Sequence, residues 1–218
     1  MDTRLVVFDL DGTLVDSRRD LADSANEMLA GYGAPPLGEE AIGRMVGSGA
    51  AQLVARALEA ANLEVPLETA LAQFLAHYDR RLTHHTRPYP GIPELLDELA
   101  AGDVKMSLLT NKPLDASTRI LETFNLIDHF RLLVGGDGPW PRKPQPDGLR
   151  FLMKEESAEP ADTVLIGDSS VDLQTARNGG VRICLARYGF GFLDLAPEML
   201  RGDEILVDRA RDIAQAIR

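Results

Sequence analysis

Arg4-Leu5-Val6-Val7-Phe8-Asp9-Leu10-Asp11-Gly12-Thr13-Leu14-Val15-Asp16-Ser17 is the stretch from which the fold of this chain is read. Leu5 to Phe8 form an unbroken apolar run, the pattern of a strand covered on both faces in a parallel sheet. The run ends in two carboxylates, Asp9 and Asp11, separated by one residue and followed by Gly12 and Thr13. Residues i and i+2 of an extended chain share a face, so both acids can address one site if the strand continues that far. In open α/β sheets, ligands collect beyond the carboxyl ends of the strands. Two anions this close repel unless a cation or a shared proton relieves them, and a hard cation with oxygen ligands such as Mg²⁺ suits the place. Taken alone, Asp-x-Asp-Gly is also an ordinary solvated turn.

Outward from that stretch the chain turns helical. Leu21, Ala25, Met28 and Leu29 repeat at helix spacing after Ser17, a candidate N-cap, and stop at Gly31 and Gly33. Pro35-Pro36 marks a loop, and a short segment from Glu39 to Val46 leads to Gly47-Ser48-Gly49. A helix with Leu53, Ala57, Leu58 and Ala61 follows, then another over Leu67 to Leu82 with Leu71, Phe74, Leu75, Tyr78 and Leu82 along one side. No strand is read between about Asp16 and Arg87, so this block is expected to be a helical insertion. Beyond it, strands at Val104–Leu109, Arg131–Val134, Thr163–Ile166, Val181–Ala186 and Ile205–Val207 alternate with helices, the last from Ala210 to Ile217. That alternation predicts an α/β fold, a Rossmann-like parallel sheet in a three-layer α/β/α sandwich. The expected division is a core of residues 1–15 and 88–218 and a helical cap of residues 16–87.

The 218 residues can bury a substantial core, and 44% hydrophobic with 26% charged content is ordinary for a globular protein. A net charge of −11, from 34 acidic and 23 basic residues, argues against nucleic acid or an anionic membrane as main partner. No signal peptide precedes the first strand and no apolar run is long enough for a bilayer, so a cytoplasmic location is expected. The lone Cys184, within Val181 to Ala186, reads as a buried inert thiol.

The full string Asp9 to Ser17 closely resembles the first motif of the haloacid dehalogenase-like superfamily, most of whose members are phosphatases. The resemblance demands a Thr or Ser, then a Lys, then further acids, each near a strand end. Thr110, Lys143, Asp168 and Asp172 meet it in that order. Singly, Thr110 reads as a helix cap, Lys143 as a solvated loop charge, and Asp168 or Asp172 as first-turn acids favoured by a helix dipole. Together with the opening motif they are expected to converge.

The resemblance implies roles for them. Asp9 becomes the nucleophile that forms an aspartyl phosphate. Asp11 is the acid and then the base, with a pKa expected to be raised by neighbouring carboxylates. Gly12 supplies a tight turn, Thr110 and the backbone of Asn111 bind phosphoryl oxygens, and Lys143 neutralises charge on the phosphoryl group and Asp9. Mg²⁺ is implied, held by Asp9, Asp168 and the backbone carbonyl of Asp11, with Asp172 acting through water or by orienting other groups.

A carboxylate at Asp11 sets this chain apart from the dehalogenating members. The absence of any lysine before Lys105 excludes a cap lysine of the phosphonoacetaldehyde-cleaving kind. Arg44, Ser48 and Gly49 are candidate anion-binding positions on the cap, because backbone N–H groups before a helix attract anions. A plain turn is the equal alternative. His84 and His85 read as solvated hinge residues, and Tyr188-Gly189-Phe190-Gly191 as a possible lining of the site mouth. Thr110-Asn111-Lys112-Pro113, Gly135-Gly136-Asp137, Lys143-Pro144 and Tyr188-Gly189 look most like the phosphoglycolate phosphatase subgroup. The implied partner is a small anionic phosphorylated metabolite. A phosphotransferase of the β-phosphoglucomutase type and a catalytically silent binding protein of the same fold remain alternatives.

Overall fold

A computed structural model describes residues 3–218; the expected core segment begins two residues earlier, outside the described part. The chain runs β1 (Leu5–Phe8), β2 (Val15–Asp16), α1 (Arg18–Gly31), α2 (Glu39–Gly43), α3 (Ala50–Ala60), α4 (Leu67–Arg81), β3 (Arg87–Pro88) and α5 (Ile92–Ala101). It continues through β4 (Lys105–Leu109), α6 (Leu114–Thr123), β5 (Leu132–Val134), α7 (Asp147–Glu156), β6 (Thr163–Gly167), α8 (Ser170–Gly179), β7 (Arg182–Ala186), β8 (Ile205–Val207) and α9 (Ile213–Ala216). Six strands make one parallel sheet in the order β5-β4-β1-β6-β7-β8.

The apolar run at the start of the chain is central, with β4 on one side and β6 on the other. Its alternate residues serve two cores. Val6 and Phe8 join the cluster containing Leu96, Leu99 and Ile213, whereas Leu5 and Val7 join Leu149, Leu152 and Leu173. Both faces are therefore covered, which is why every residue of β1 is apolar and buried. Successive crossovers leave β1 toward β4 and β5 on one flank, while β6, β7 and β8 extend the other. The carboxyl end of β1 thus sits where the strand order reverses, the place where open sheets bind ligands.

The α/β sandwich expected from the alternation is present. Four helices, α1 to α4, occupy residues 18–81 and pack on one another, and their apolar residues Leu21, Leu53 and Phe74 join the same buried cluster as Phe8. As read, only helices lie between residues 17 and 86; what the pattern did not show is that a small antiparallel ribbon, Val15 opposite Pro88 and Asp16 opposite Arg87, bounds them. Two-residue strands are too short to leave an alternating pattern, and a proline at one of the four positions masks the signal. The last helix also begins later than read, as a 3-10 turn over Ala210–Asp212 before α9. Among the described residues no helix is long and apolar enough to cross a membrane. Cys184 is buried in β7, where burial pushes its thiol up to about 12, in line with an inert side chain.

Candidate active site

Three loops that follow β1, β4 and β6 meet at one end of the sheet. Asp9 extends the ladder by donating its N–H to Ile166 O (2.8 Å), and Thr110 does likewise to Val134 O (3.0 Å), so both side chains are set by rigid strand ends. The chain then turns sharply. Gly12 has a φ of 86°, and a Cβ there would stand 2.0 Å from an oxygen of Asp168, so only glycine fits. Gly189 is pressed in the same way: a Cβ on it would lie 2.2 Å from Gly12 O and 2.3 Å from Asp168 Cβ. The Tyr188–Gly191 segment therefore backs the site. Gly191 N–H donates to Asp168 at 2.7 Å, and Tyr188 Oη donates to Thr13 O at 3.0 Å.

Lys143 is buried, its Nζ 2.9 Å from Asp9 and 2.6 Å from Asp172. Asn111 aims it. The Asn111 side chain accepts from Lys143 N–H (2.9 Å) and donates to Lys143 O (3.0 Å), while a second donation reaches Gly47 O at 2.9 Å. Reading Asn111 only through its backbone missed this brace between the loop after β4, the lysine and the helical block. Asp172 is fully engaged, one oxygen by Lys143 and the other by Ser169 N–H and Oγ (3.1 and 2.5 Å). Its remaining task is to hold the lysine and the start of α8.

Carboxylate oxygens of Asp9, Asp168 and Asp172 come within 4.8 Å of one another. All three residues are buried, and the Lys143 ammonium touches two of them, Asp9 and Asp172. Burial, only partly opposed by Lys143 and reinforced by Asp172 and Asp11, pushes the Asp9 carboxyl up to about 6. Burial together with Asp172 and Asp9 drives Asp168 well above the usual carboxylate range. Burial works against charge on Lys143 too, but its acidic neighbours more than offset it, and it stays protonated. Such unrelieved negative charge on oxygen donors is the chemistry a divalent hard cation answers.

Asp11 faces the other way. Its carboxylate receives Lys112 Nζ at 2.9 and 3.0 Å and Ser17 Oγ at 2.5 Å. The neighbouring carboxylates expected to crowd it are not its contacts; a lysine and a hydroxyl are. Ser17 consequently makes no side-chain cap, and Asp16 takes that place by accepting from Arg18 N–H at 3.2 Å. Lys112 also reaches Tyr78 Oη of α4 at 2.6 Å. The sequence reading gives neither side chain a role: Lys112 enters it only as part of the Thr110-Asn111-Lys112-Pro113 string and Tyr78 only as part of an apolar helix stripe.

Asp9, Asp11, Thr110 and Asn111 line one cavity with Gly47, Gly49 and the apolar side chains of α3 and α4. Arg44 and Ser48 are placed elsewhere. They line a neighbouring cleft with Ser169, Ser170 and Asp194, and Arg44 is half exposed, near Glu40 and Asp194. His85 contributes only its backbone N–H, to Asp20. Trp140, in the proline-rich loop before Lys143, packs on Phe151 with ring centroids 4.1 Å apart.

A family model described as haloacid dehalogenase-like hydrolase matches residues 6–186. The chain is 39% identical over 217 residues to phosphoglycolate phosphatase 1 of Pseudomonas aeruginosa, covering 96% of this chain and 78% of the relative. It is 40% identical over 194 residues to the phosphoglycolate phosphatase of Rhodospirillum rubrum, covering 86% and 80%. Among solved structures, one described as a predicted phosphoglycolate phosphatase from Haemophilus somnus superposes with a TM-score of 0.93 at 29% identity, covering 100% of this chain and 99% of the other.

Proposed function

The chain belongs to the haloacid dehalogenase-like hydrolase family and is a phosphatase, and we propose that it hydrolyses a small anionic phosphate monoester through an aspartyl phosphate on Asp9. The observation that carries this reading is Asp9 at the end of β1, bound by Lys143 and facing Asp168 and Asp172. The phosphoglycolate-like substrate class comes from the names of the relatives.

In the first step an Asp9 oxygen attacks phosphorus, the ester P–O bond breaks, and Asp11 gives its proton to the departing oxygen. In the second step Asp11 takes a proton from water as that water attacks phosphorus, so inorganic phosphate leaves and the Asp9 carboxylate is restored. Thr110 Oγ1 and the Asn111 N–H bind phosphoryl oxygens, and Lys143 offsets their growing charge. Asp9, Asp168 and the backbone carbonyl of Asp11 would hold Mg²⁺, which supplies charge neutralisation between nucleophile and phosphoryl group. Asp172 keeps Lys143 directed at Asp9. Residues 16–87 form the helical cap that excludes bulk water over the core of residues 1–15 and 88–218.

The test is phosphate release from phosphorylated small acids by the purified protein, with and without Mg²⁺ and with no sugar acceptor. Asp9→Asn is expected to lower kcat by at least about 10³-fold with folding intact by circular dichroism. Wild-type turnover in that variant would remove Asp9 as nucleophile. Turnover that requires a sugar acceptor would make the enzyme a phosphotransferase.

A further inference from the structure

Asn111 and Lys112 are neighbours in the loop after β4, and each bonds both to a residue assigned to the phosphoryl chemistry and to the helical block of residues 18–81. Asn111, 5% exposed, pairs with the N–H and the C=O of Lys143 and gives its other amide hydrogen to Gly47 O, between α2 and α3. Lys112 binds both oxygens of Asp11 and donates to Tyr78 Oη on α4. The loop that carries them is clamped by the segment after β5. A Cβ on Gly136 would stand 2.2 Å from Asn111 O, Gly136 N–H donates to Lys112 O at 2.8 Å, and Asp137 accepts from Leu114 N–H at 2.8 Å.

Building on the phosphatase reading, we propose that Asn111 and Lys112 are positioning residues through which seating of the cap aligns Lys143 and Asp11, and through which a phosphoryl group held by Lys143 keeps the cap seated.

Two features carry this. Lys143 lies outside the strands, and its backbone N–H and C=O both pair with the Asn111 side chain, so the direction of the lysine follows the turn of that one amide. An amide has two hydrogens and an acceptor oxygen; all are committed here, and loss of Gly47 O frees one hydrogen and lets the group rotate. On the acid side, Tyr78 is a rigid seat, its ring stacked on Phe74 with centroids 5.8 Å apart. Its hydroxyl fixes where the Lys112 ammonium stands, and the ammonium in turn fixes the Asp11 carboxylate. A catalytic group misplaced by about 1 Å costs up to about 100-fold in rate, so small turns of either group matter. The coupling is reciprocal: whatever cap seating adds to the affinity for a phosphoryl group, the phosphoryl group adds to the seating.

Variants on the block side separate this coupling from a contact with substrate. Tyr78→Phe removes the hydroxyl and keeps the ring on Phe74. Gly47→Ala drives the backbone away from a φ of 108° and displaces the carbonyl from Asn111, while the new Cβ meets only Ser169, at 3.9 Å. With 2-phosphoglycolate as substrate, each is expected to lower kcat by roughly ten-fold, with KM within about three-fold of wild type. Hydrogen exchange read by mass spectrometry tests the reverse direction. Saturating inorganic phosphate with Mg²⁺ is expected to slow exchange across residues 44–54 by about ten-fold in wild type and by less than about two-fold in Asn111→Ala. Wild-type kcat in either block-side variant, or a loss confined to KM, overturns the proposal and leaves these bonds as packing. Phosphate protection that is absent from wild type, or as large in Asn111→Ala, overturns it too. Should Asn111→Ala not fold, the two block-side variants still decide. A wild type that releases no phosphate from any ester overturns the phosphatase reading, and the exchange measurement then reads the coupling by itself.

Discussion

Asp20 and Asp168 are both buried aspartates at the boundary between the sheet and the helical block, and they are buried on opposite terms. Asp20, on α1, is fully enclosed and accepts from His85 N–H, Thr86 N–H and Thr86 Oγ1 at 2.8–3.1 Å. Its charge is met by donors, and in return it pins the segment just before β3, where the chain comes back toward the core. Asp168, 1% exposed, receives one donor, Gly191 N–H, and shares its space with Asp9 and Asp172. A buried carboxylate is tolerated when hydrogen bonds surround it and is costly when they do not. Enclosure is therefore common to both. Unmet demand belongs only to the second, and it marks the place where a ligand completes the structure.

The largest effect that could break this contrast is at Asp168. Asp168→Asn keeps an acceptor for Gly191 N–H and removes one of three crowded charges. Turnover is expected to fall by about 10³-fold, while the melting temperature of the metal-free protein rises by a few degrees, read by calorimetry. A variant that lost stability together with activity would mean the acid cluster holds the fold, as Asp20 does. Asp20→Ala runs in the opposite direction. It strands two backbone N–H groups and a hydroxyl, costs about 2–4 kcal/mol and lowers the melting temperature by roughly 5–15 °C, with kcat of the folded protein within about ten-fold of wild type. A collapse in kcat equal to that of Asp168→Asn would erase the distinction.

The same contrast explains how much could be read in advance. Strands of a parallel sheet reveal themselves as short apolar runs, whether central like β1 and β6 or at the edges like β5 and β8, so β1 and β4 to β8 were legible to within a residue or two, and the acids at their ends with them. Lys143 was legible through its order in the chain. Lys112 and Tyr78 were not. One follows a strand like any solvated lysine, the other is a member of the apolar stripe of α4, and only packing of the helices onto the sheet brings them together. Ser17 precedes a helix as an N-cap should, yet the carboxylate of Asp11 is a stronger acceptor for its hydroxyl than solvent, and it turns inward. The loop Gly47-Ser48-Gly49 was half legible. Successive residues of the loop face opposite ways, so Gly47 and Gly49 line the acid cavity while Ser48 lines the cleft beside Ser169.

The smallest effect sharpens the comparison by titration. The folded Asp9 carboxyl lies at about 6 against an ordinary 3.8, so the folded state binds that proton more tightly than the unfolded chain. Its contribution to stability is complete below about pH 3.8 and is lost as pH rises through about 6; Asp168, raised further, extends the loss upward. The metal-free protein should therefore lose a few degrees of melting temperature between about pH 4 and pH 7. A divalent cation binds the ionised carboxylates and competes with their protons, so millimolar Mg²⁺ should raise the melting temperature more at about pH 7.5 than at about pH 5. Asp168→Asn should shrink that difference, and Asp20→Ala should keep it, since Asp20 lies outside the cluster. A Mg²⁺ shift that is equal at both pH values, or equally reduced in both variants, would show that the ion is not answering the crowded acids.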